Sequence, residues 1–473
     1  MKQWKRFTSA ALAAMMAVSL TACGGSQQTA DTSAAKEGEA NTATTAAGSN
    51  EAQSDVPEFK DLKVGEDYTD IKADLKFITQ RTDLVDTTFK TYVEEFQKLY
   101  PNVTITYEGI TNYAEDMITR LSTGDWGDIC MIPMQVKKSD LGTYFLRFGA
   151  KDELEKSYIM LNDKSFENDV YGIPSVGSAQ GVVYNKKVFE AAGITELPKT
   201  PDEFLDALQK IKDNTDAIPL YTNFAAGWTM TAWDAYISGS ATGDADFKNI
   251  DLVHGKDPFT KRDDMTGPYA VYYTLYEAVA RGLTEDDPTT TDWEGSKPKI
   301  NNGEIATMVL GSWAVTQMQE AGDHPEDIGY MTFPITVDGK QYATASPDYN
   351  YAINVNSSAD NKIASMLYVK WLTEDSNFAY DQGGIPIVAG AEYPDIYKAF
   401  DGVELVINNP APAGEDNLFN DINTDSEIGI ESSADTVSKI VEAAITGSPT
   451  LDEIMANWNA KWTASQEKFG AIQ

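Results

Sequence analysis

Along the first part of the folded region the spacing of apolar residues switches repeatedly between two periods. Leu75 to Thr79 reads LKFIT, which predicts a strand. Phe89, Tyr92, Val93, Phe96 and Leu99 then recur at helical spacing, and Pro101 ends that helix. VTITY (Val103 to Tyr107) predicts a second strand, Tyr113 to Leu121 a helix, and DICMIP around Cys130 a third strand. Strands alternating with helices predict a largely parallel sheet with helices against its faces.

The same alternation continues downstream. GVVYN (Gly181 to Asn185) predicts a short strand and KKVFEAAG a helix capped at Gly193. Thr200 and Glu203 have capping-box spacing, Pro201 suits the first helical position, and Phe204, Leu208 and Ile211 form one apolar face. EIATMVL (Glu304 to Leu310), a turn at Gly311 and a helix from about Ser312 follow, then strand YAINV (Tyr351 to Val355) and a helix carrying Ile363, Leu367 and Trp371. Val437, Ile440, Val441 and Ala444 predict a further helix, and Thr450 with Glu453 opens the last one, which carries Ile454, Trp458 and Trp462. Trp371, Trp458 and Trp462 therefore read as core.

The N-terminal segment has a different character. Lys2, Lys5 and Arg6 precede an apolar run from Ala10 to Leu20, about half of what spans a bilayer, so residues 1–22 read as a secretory signal. Leu20, Thr21, Ala22 and Cys23 resemble a bacterial lipobox, which implies that Cys23 carries lipid and begins the mature chain. From 23 to 58 the chain is rich in Ala, Gly, Ser, Thr and Glu and poor in groups able to form a core. That composition predicts a disordered tether with a reach of roughly 30 Å.

The formal net charge of −36 argues against nucleic acid as a partner, and loss of the three basic residues of the signal would deepen it. Cys130 is the one other cysteine, so no intramolecular disulfide is available, and its apolar surroundings read as a buried structural thiol. Two histidines, His254 and His324, do not make a histidine-rich metal site. No G-x-S-x-G elbow or phosphate-binding glycine loop is present.

Three segments together, YGIPSVGSAQGVVYNKKVFEAAGI, LPKTPDEFLDALQKIK and NNGEIATMVLGSWAV, resemble the family 1 extracellular solute-binding proteins, the group that includes maltose-binding protein. The resemblance implies an α/β, type II periplasmic-binding-protein-like fold of two lobes with hinge strands and an interlobe cleft. Lobe 1 would take 59–182 plus about 348–400, and lobe 2 about 183–347 plus 401–473. Chain crossings would lie near Gly181 to Asn185 and Ala345 to Ala352, with a last one near 400. It implies a monomeric binder on the extracytoplasmic face of a bacterial cell membrane. That binder would be held by its lipid, with a carbohydrate ligand, an oligosaccharide, and the membrane permease subunits of an ABC importer as partners. No cofactor or metal is implied, and no catalysis.

A sugar site needs aromatic faces for C–H surfaces and carboxylates or amides for hydroxyls. Trp313 in GSWA is the leading candidate, at a strand-to-helix turn where ligands of α/β proteins collect; in the family segment it matches, the tryptophan stacks on sugar. Trp228 and Trp233 match a region of cleft aromatics in relatives, and Trp293 in TDWEG and Trp126 in GDWGD share loop-like settings. Asp83 follows the first strand, where it either binds hydroxyls or caps the next helix. Asp128 matches a family Pro-Asp segment with Gly127 in place of proline, and serves ligand or turn. Asp348 and Tyr349 sit at the second expected crossing. The position near Ser178 is acidic in maltose-binding protein, so maltodextrin is disfavoured as the ligand. Two rival classes stay open: the same fold binding a nonsugar solute such as a peptide or polyamine, and a secreted glycoside-active enzyme, which requires only two carboxylates about 5 to 10 Å apart.

Overall fold

The computed structural model describes residues 56–400 and 402–472; the expected signal, Cys23 and the expected tether as far as residue 55 lie outside the described residues, whereas residues 56–58, also expected in the tether, are packed on the first lobe, with Val56 buried and Glu58 paired with Arg147. Among the described residues, no helix is long and apolar enough to cross a membrane.

Two sheets organise the molecule. In the first, the strand order is Val103–Gly109, Ala73–Thr79, Ile129–Met131, Asn350–Ile353 and Ile173–Pro174. The first three are parallel, with Ala73 opposite Val103 and Phe77 opposite Ile129; the last two run antiparallel to their neighbours. Helices Thr88–Leu99, Tyr113–Thr123 and Ala359–Glu374 supply Phe96, Met117, Leu367 and Trp371 to a core built with Phe77 and Ile129. Burial of each such side chain contributes about 1.5–3 kcal/mol, so this lobe has ample stabilisation without a disulfide. Cys130 is fully buried in it, and burial pushes its thiol well up, which makes it inert.

The second sheet runs Glu404–Ile407, Tyr342–Pro347, Gly177–Asn185, Ile305–Gly311 and Ile218–Leu220, with Ile328–Thr332 also paired to Gly177–Asn185. Phe204, Leu208 and Ile211 are fully buried, as the apolar face of their helix requires, and they join Tyr236, Tyr272 and Trp462 in a second core. A third cluster, with Met308, Leu310, Val315 and Tyr330, lies under the helix Trp313–Glu320.

The central strand of this lobe spans nine residues, not the five of GVVYN. Its first half, Gly-Ser-Ala-Gln, has little intrinsic strand preference. It is strand because ladders hold it: Ala179 opposes Ala345, and Gln180 opposes Gly311. The chain therefore passes between lobes at Ser175 and Val176, ahead of Gly181 to Asn185. Gly181 itself serves packing, since a Cβ there would lie 2.4 Å from the Met331 carbonyl oxygen.

Three passages lie side by side. Ser175 N–H donates to Tyr349 O at 2.9 Å, Asp348 N–H to Val176 O at 2.9 Å, and Gly177 and Ile385 exchange backbone hydrogen bonds at 2.8 and 2.7 Å. The return through Gly383–Ile387 is thus bonded to the first passage.

Candidate functional site

The strand Ala73–Thr79 ends at the edge of the first lobe and delivers Gln80, Arg81 and Asp83 to the space between the sheets. Thr79 Oγ1 accepts the Arg81 N–H at 3.1 Å, which holds the turn. The Arg81 guanidinium forks onto Asp83, with Nε to Oδ1 at 2.9 Å and Nη2 to Oδ2 at 2.7 Å, and Nη2 also donates to Gln382 Oε1 at 2.6 Å. Burial pushes the Asp83 carboxyl up, but Arg81, with Lys297 of the other lobe, more than offsets this and holds it below its ordinary range. Asp348, at the second passage, faces the same cavity, where burial raises its carboxyl and Arg81 tempers the rise.

The opposite wall is aromatic. Strand Ile305–Gly311 delivers Trp313 through a pinned turn. Ser312 N–H donates to Ala179 O at 2.9 Å, the Ser312 hydroxyl accepts from Ala179 N–H at 3.1 Å, and it lies 2.7 Å from the Tyr397 hydroxyl. Gly311 leaves room for the indole: a Cβ there would lie 2.7 Å from Trp313 Nε1 and 3.2 Å from Gln180 Oε1. Trp228 and Trp293, each at the start of a helix, complete a cluster. Ring centroids are 5.0 Å apart for Trp228–Trp293, 5.7 Å for Trp228–Trp313 and 5.8 Å for Trp293–Trp313, all inclined rather than stacked. In such inclined pairs the positive edge of one ring meets the negative face of its neighbour. Trp228 is 41% exposed at the rim. Lys297, one turn beyond Trp293, sits 4.9 Å over that ring and pairs with Glu294 at 2.9 Å.

The cavity between these walls is lined by Thr79, Arg81, Ser175, Trp313, Asp348 and Gln382, with Phe77, Phe89 and Phe378 behind them, and measures about 20 Å³. That is room for about one water; a sugar ring enters only when the lobes part. A separate cavity of about 540 Å³ opens among the C-terminal helices beside Asn423, Glu427, Lys439 and Lys461. It lies within the second lobe and lacks both the interlobe walls and the aromatic cluster.

The remaining sequence candidates do not join the cleft. Trp233 is 2% exposed and packs against Tyr236 and Phe333, and Trp126 is equally buried against Phe145, so both are core rather than platform. Asp128 accepts from Lys76 N–H at 3.0 Å, Ser357 Oγ at 2.6 Å and Asn361 Nδ2 at 2.9 Å; it ties the first sheet to the start of helix Ala359–Glu374. Tyr349 packs edge-on to Tyr113 at 5.5 Å, because neighbours along an extended chain point to opposite sides and Asp348 takes the cleft side. Ser178 is buried in the ladder opposite Ser346. Arg81, Gln382 and Lys297 were not among the sequence candidates. Arg81 had a usable signal, its place just past the end of a parallel strand; the other two reach the site only through folding.

Residues 82–377 match the model of the bacterial extracellular solute-binding protein family. The chain is 23% identical over 331 residues to the multiple sugar-binding protein of Streptococcus mutans, covering 67% of this chain and 75% of that one. Two solved structures from Bifidobacterium animalis subsp. lactis are closer. A manno-oligosaccharide specific solute binding protein in complex with mannotriose is 48% identical, with TM-score 0.85 over 87% of this chain and 99% of that one. A binding protein of an ABC transporter in complex with mannobiose is 50% identical, with the same coverage and TM-score. The two-lobed fold, the cleft at its strand ends and the match over most of the chain agree: this protein is a member of the bacterial extracellular solute-binding protein family.

Proposed function

We propose that the protein captures a short manno-oligosaccharide in the interlobe cleft and delivers it to an ABC importer, from a lipid anchor at Cys23 on the extracytoplasmic face of the membrane. The observation that carries the sugar reading is the pairing of the Trp228–Trp293–Trp313 cluster on one wall with Arg81, Asp83, Asp348 and Gln382 on the other. Relatives nearly half identical over their whole solved length hold mannobiose and mannotriose.

In this reading the open lobes admit the sugar. Its C–H face stacks on Trp313, with Trp228 supporting a further unit nearer the rim. Arg81 donates to hydroxyl oxygens while Asp348 and Asp83 accept from hydroxyls. Contacts from both lobes favour the closed form, so the ligand shifts the population toward closure. The lobes would be those of the two sheets, and the protein would act as a monomer. The cleft carboxylates stand beside Arg81 and Lys297, so their charge is already countered; this disfavours a polyamine. The protein is proposed as a binder without catalysis, returning its sugar intact.

Thermal denaturation of the mature chain against mannobiose, mannotriose, maltotriose, peptides and spermidine tests the ligand. A ligand at 100 times its dissociation constant adds about 2.7 kcal/mol. Stabilisation by the mannosides alone is the expected result; stabilisation by spermidine with every sugar silent would overturn it. Chromatography of the recovered mannotriose checks for cleavage. Palmitate labelling that is lost in Cys23→Ser tests the anchor.

A further inference from the structure

The cleft has a second point of contact, away from the tryptophans, and it is ionic. Lys137 follows the strand Ile129–Met131 of the first lobe, and its Nζ lies 3.0 Å from Oδ1 of Asp421 in the helix Leu418–Asp425 of the second. Behind this pair the two lobes offer charges in mirror-image patterns. The first lobe sets Lys138 and Lys164 around Asp163. Lys164 Nζ is 3.4 Å from Asp163, and Asn350 Nδ2 donates to the same carboxylate at 3.2 Å. The second lobe sets Glu431 and Asp234 around Lys248, which pairs with Glu431 and lies 5.3 Å over the ring of Phe419, in the same helix as Asp421. The fields cross the gap in both directions: Asp163 is held ionised by Lys164, Lys248 and Lys138 against its burial, and Lys138 feels Asp416. None of these side chains lines the cavity beneath Trp313.

We propose that Lys137–Asp421, backed by the Asp163–Lys248–Glu431 cluster, is an electrostatic latch on the closed form, which sets how readily the lobes part and hence how long a ligand is retained. Exposed ion pairs contribute little to folding because water replaces them cheaply. A pair that forms only when two rigid bodies meet acts on the balance between two states instead, and a modest free energy there changes populations severalfold. Lys137 and Asp421 are part-exposed, which lets water in as the lobes separate. Lys248, partly buried and paired with Glu431, lies over Phe419 and so holds the Asp421 helix, giving the latch a fixed strike. The inference rests on lobe closure and is independent of which solute the cleft holds.

The test follows lobe separation directly. Small-angle X-ray scattering of the mature chain, with no sugar added, is compared for wild type, Lys137→Glu, Lys137→Ala and the reversed pair Lys137→Glu/Asp421→Lys, each in 0.05 M and 0.5 M NaCl. Screening shortens from well over 10 Å to a few ångströms across that range. The latch requires a larger radius of gyration for Lys137→Glu, recovery toward wild type in the reversed pair, and a wild type that expands in high salt. With mannotriose, Lys137→Glu should dissociate about fivefold faster at low salt, with little change at high salt. Equal radii and salt-independent dissociation in wild type and both single variants would overturn the latch while leaving sugar capture standing. Charge-dependent radii with no sugar bound at all would keep the latch and overturn the ligand.

Discussion

At the scale of single residues, the same amino acid does opposite work depending on where its ring lies. Trp313 borders the cavity and Trp233 lies in a core. If the cleft takes mannotriose as proposed, Trp313→Ala should weaken its binding about a hundredfold, near 2.8 kcal/mol, as truncation of a central aromatic anchor does, while the melting temperature of the free protein moves little. Trp233→Ala should instead cost about 3–5 kcal/mol of folding stability through the cavity it leaves; calorimetric binding beside urea denaturation separates the two. Gly311→Ala is subtler. Its methyl would press on the Trp313 indole at 2.7 Å, so affinity should fall about tenfold with the fold intact. His254 reports on pH. Its Nδ1 faces the Ala471 carbonyl at 3.0 Å and its Nε2 faces Glu415 at 2.8 Å; both are acceptors, so the doubly protonated ring satisfies both and its pKa is raised, first by the carbonyl and then by Glu415. The stability this adds is complete below the ordinary histidine value of 6.5 and is lost as pH rises through the raised folded value. The difference in melting temperature between wild type and His254→Ala should therefore shrink from pH 6 to pH 8.5, and an NMR titration should show the His254 midpoint falling in Glu415→Gln.

At the scale of elements, local chemistry was legible and long-range placement was not. Thr450 and Glu453 form the full reciprocal capping box read from their spacing. Thr200 and Glu203 form half of one: Thr200 accepts from Glu203 N–H, but the Glu203 carboxylate accepts from Lys199 N–H at 2.8 Å. Spacing specifies which groups are near, and the backbone just before the helix decides which bond is made. Among tryptophans, loop-like surroundings were shared by Trp126, Trp228, Trp233, Trp293 and Trp313, yet Trp126 and Trp233 are buried while the other three meet. No local pattern separates them, because their fate depends on elements that arrive later in the chain. Gln382 makes the point most plainly. It reaches Arg81 across a separation of 301 residues, through a return passage with no periodicity of its own.

At the scale of the whole molecule, the passages and the cleft groups share one cavity, lined by Ser175 and Val176 together with Arg81 and Trp313. The passages are bonded together at the back, the Arg81 cluster and Trp313 face each other in the middle, and Trp228 stands exposed at the mouth. Gly177 belongs to the back: a Cβ there would lie 2.6 Å from Met160 Sδ and 3.1 Å from Ile385. Gly177→Val should jam the passages, so that ligand-driven shrinkage seen by scattering is reduced even though the substituted residue touches no sugar.

The bonded passages also restrict what kind of machine this can be. Three ribbons fastened edge to edge flex across their width far more easily than they shear or twist, so the lobes are left with close to a single degree of freedom. A single freedom of that kind predicts that closure follows one path and gives one outline, whatever the sugar inside. A permease would then read something near a binary signal, shut or not shut, with recognition of the cargo finished before transport begins.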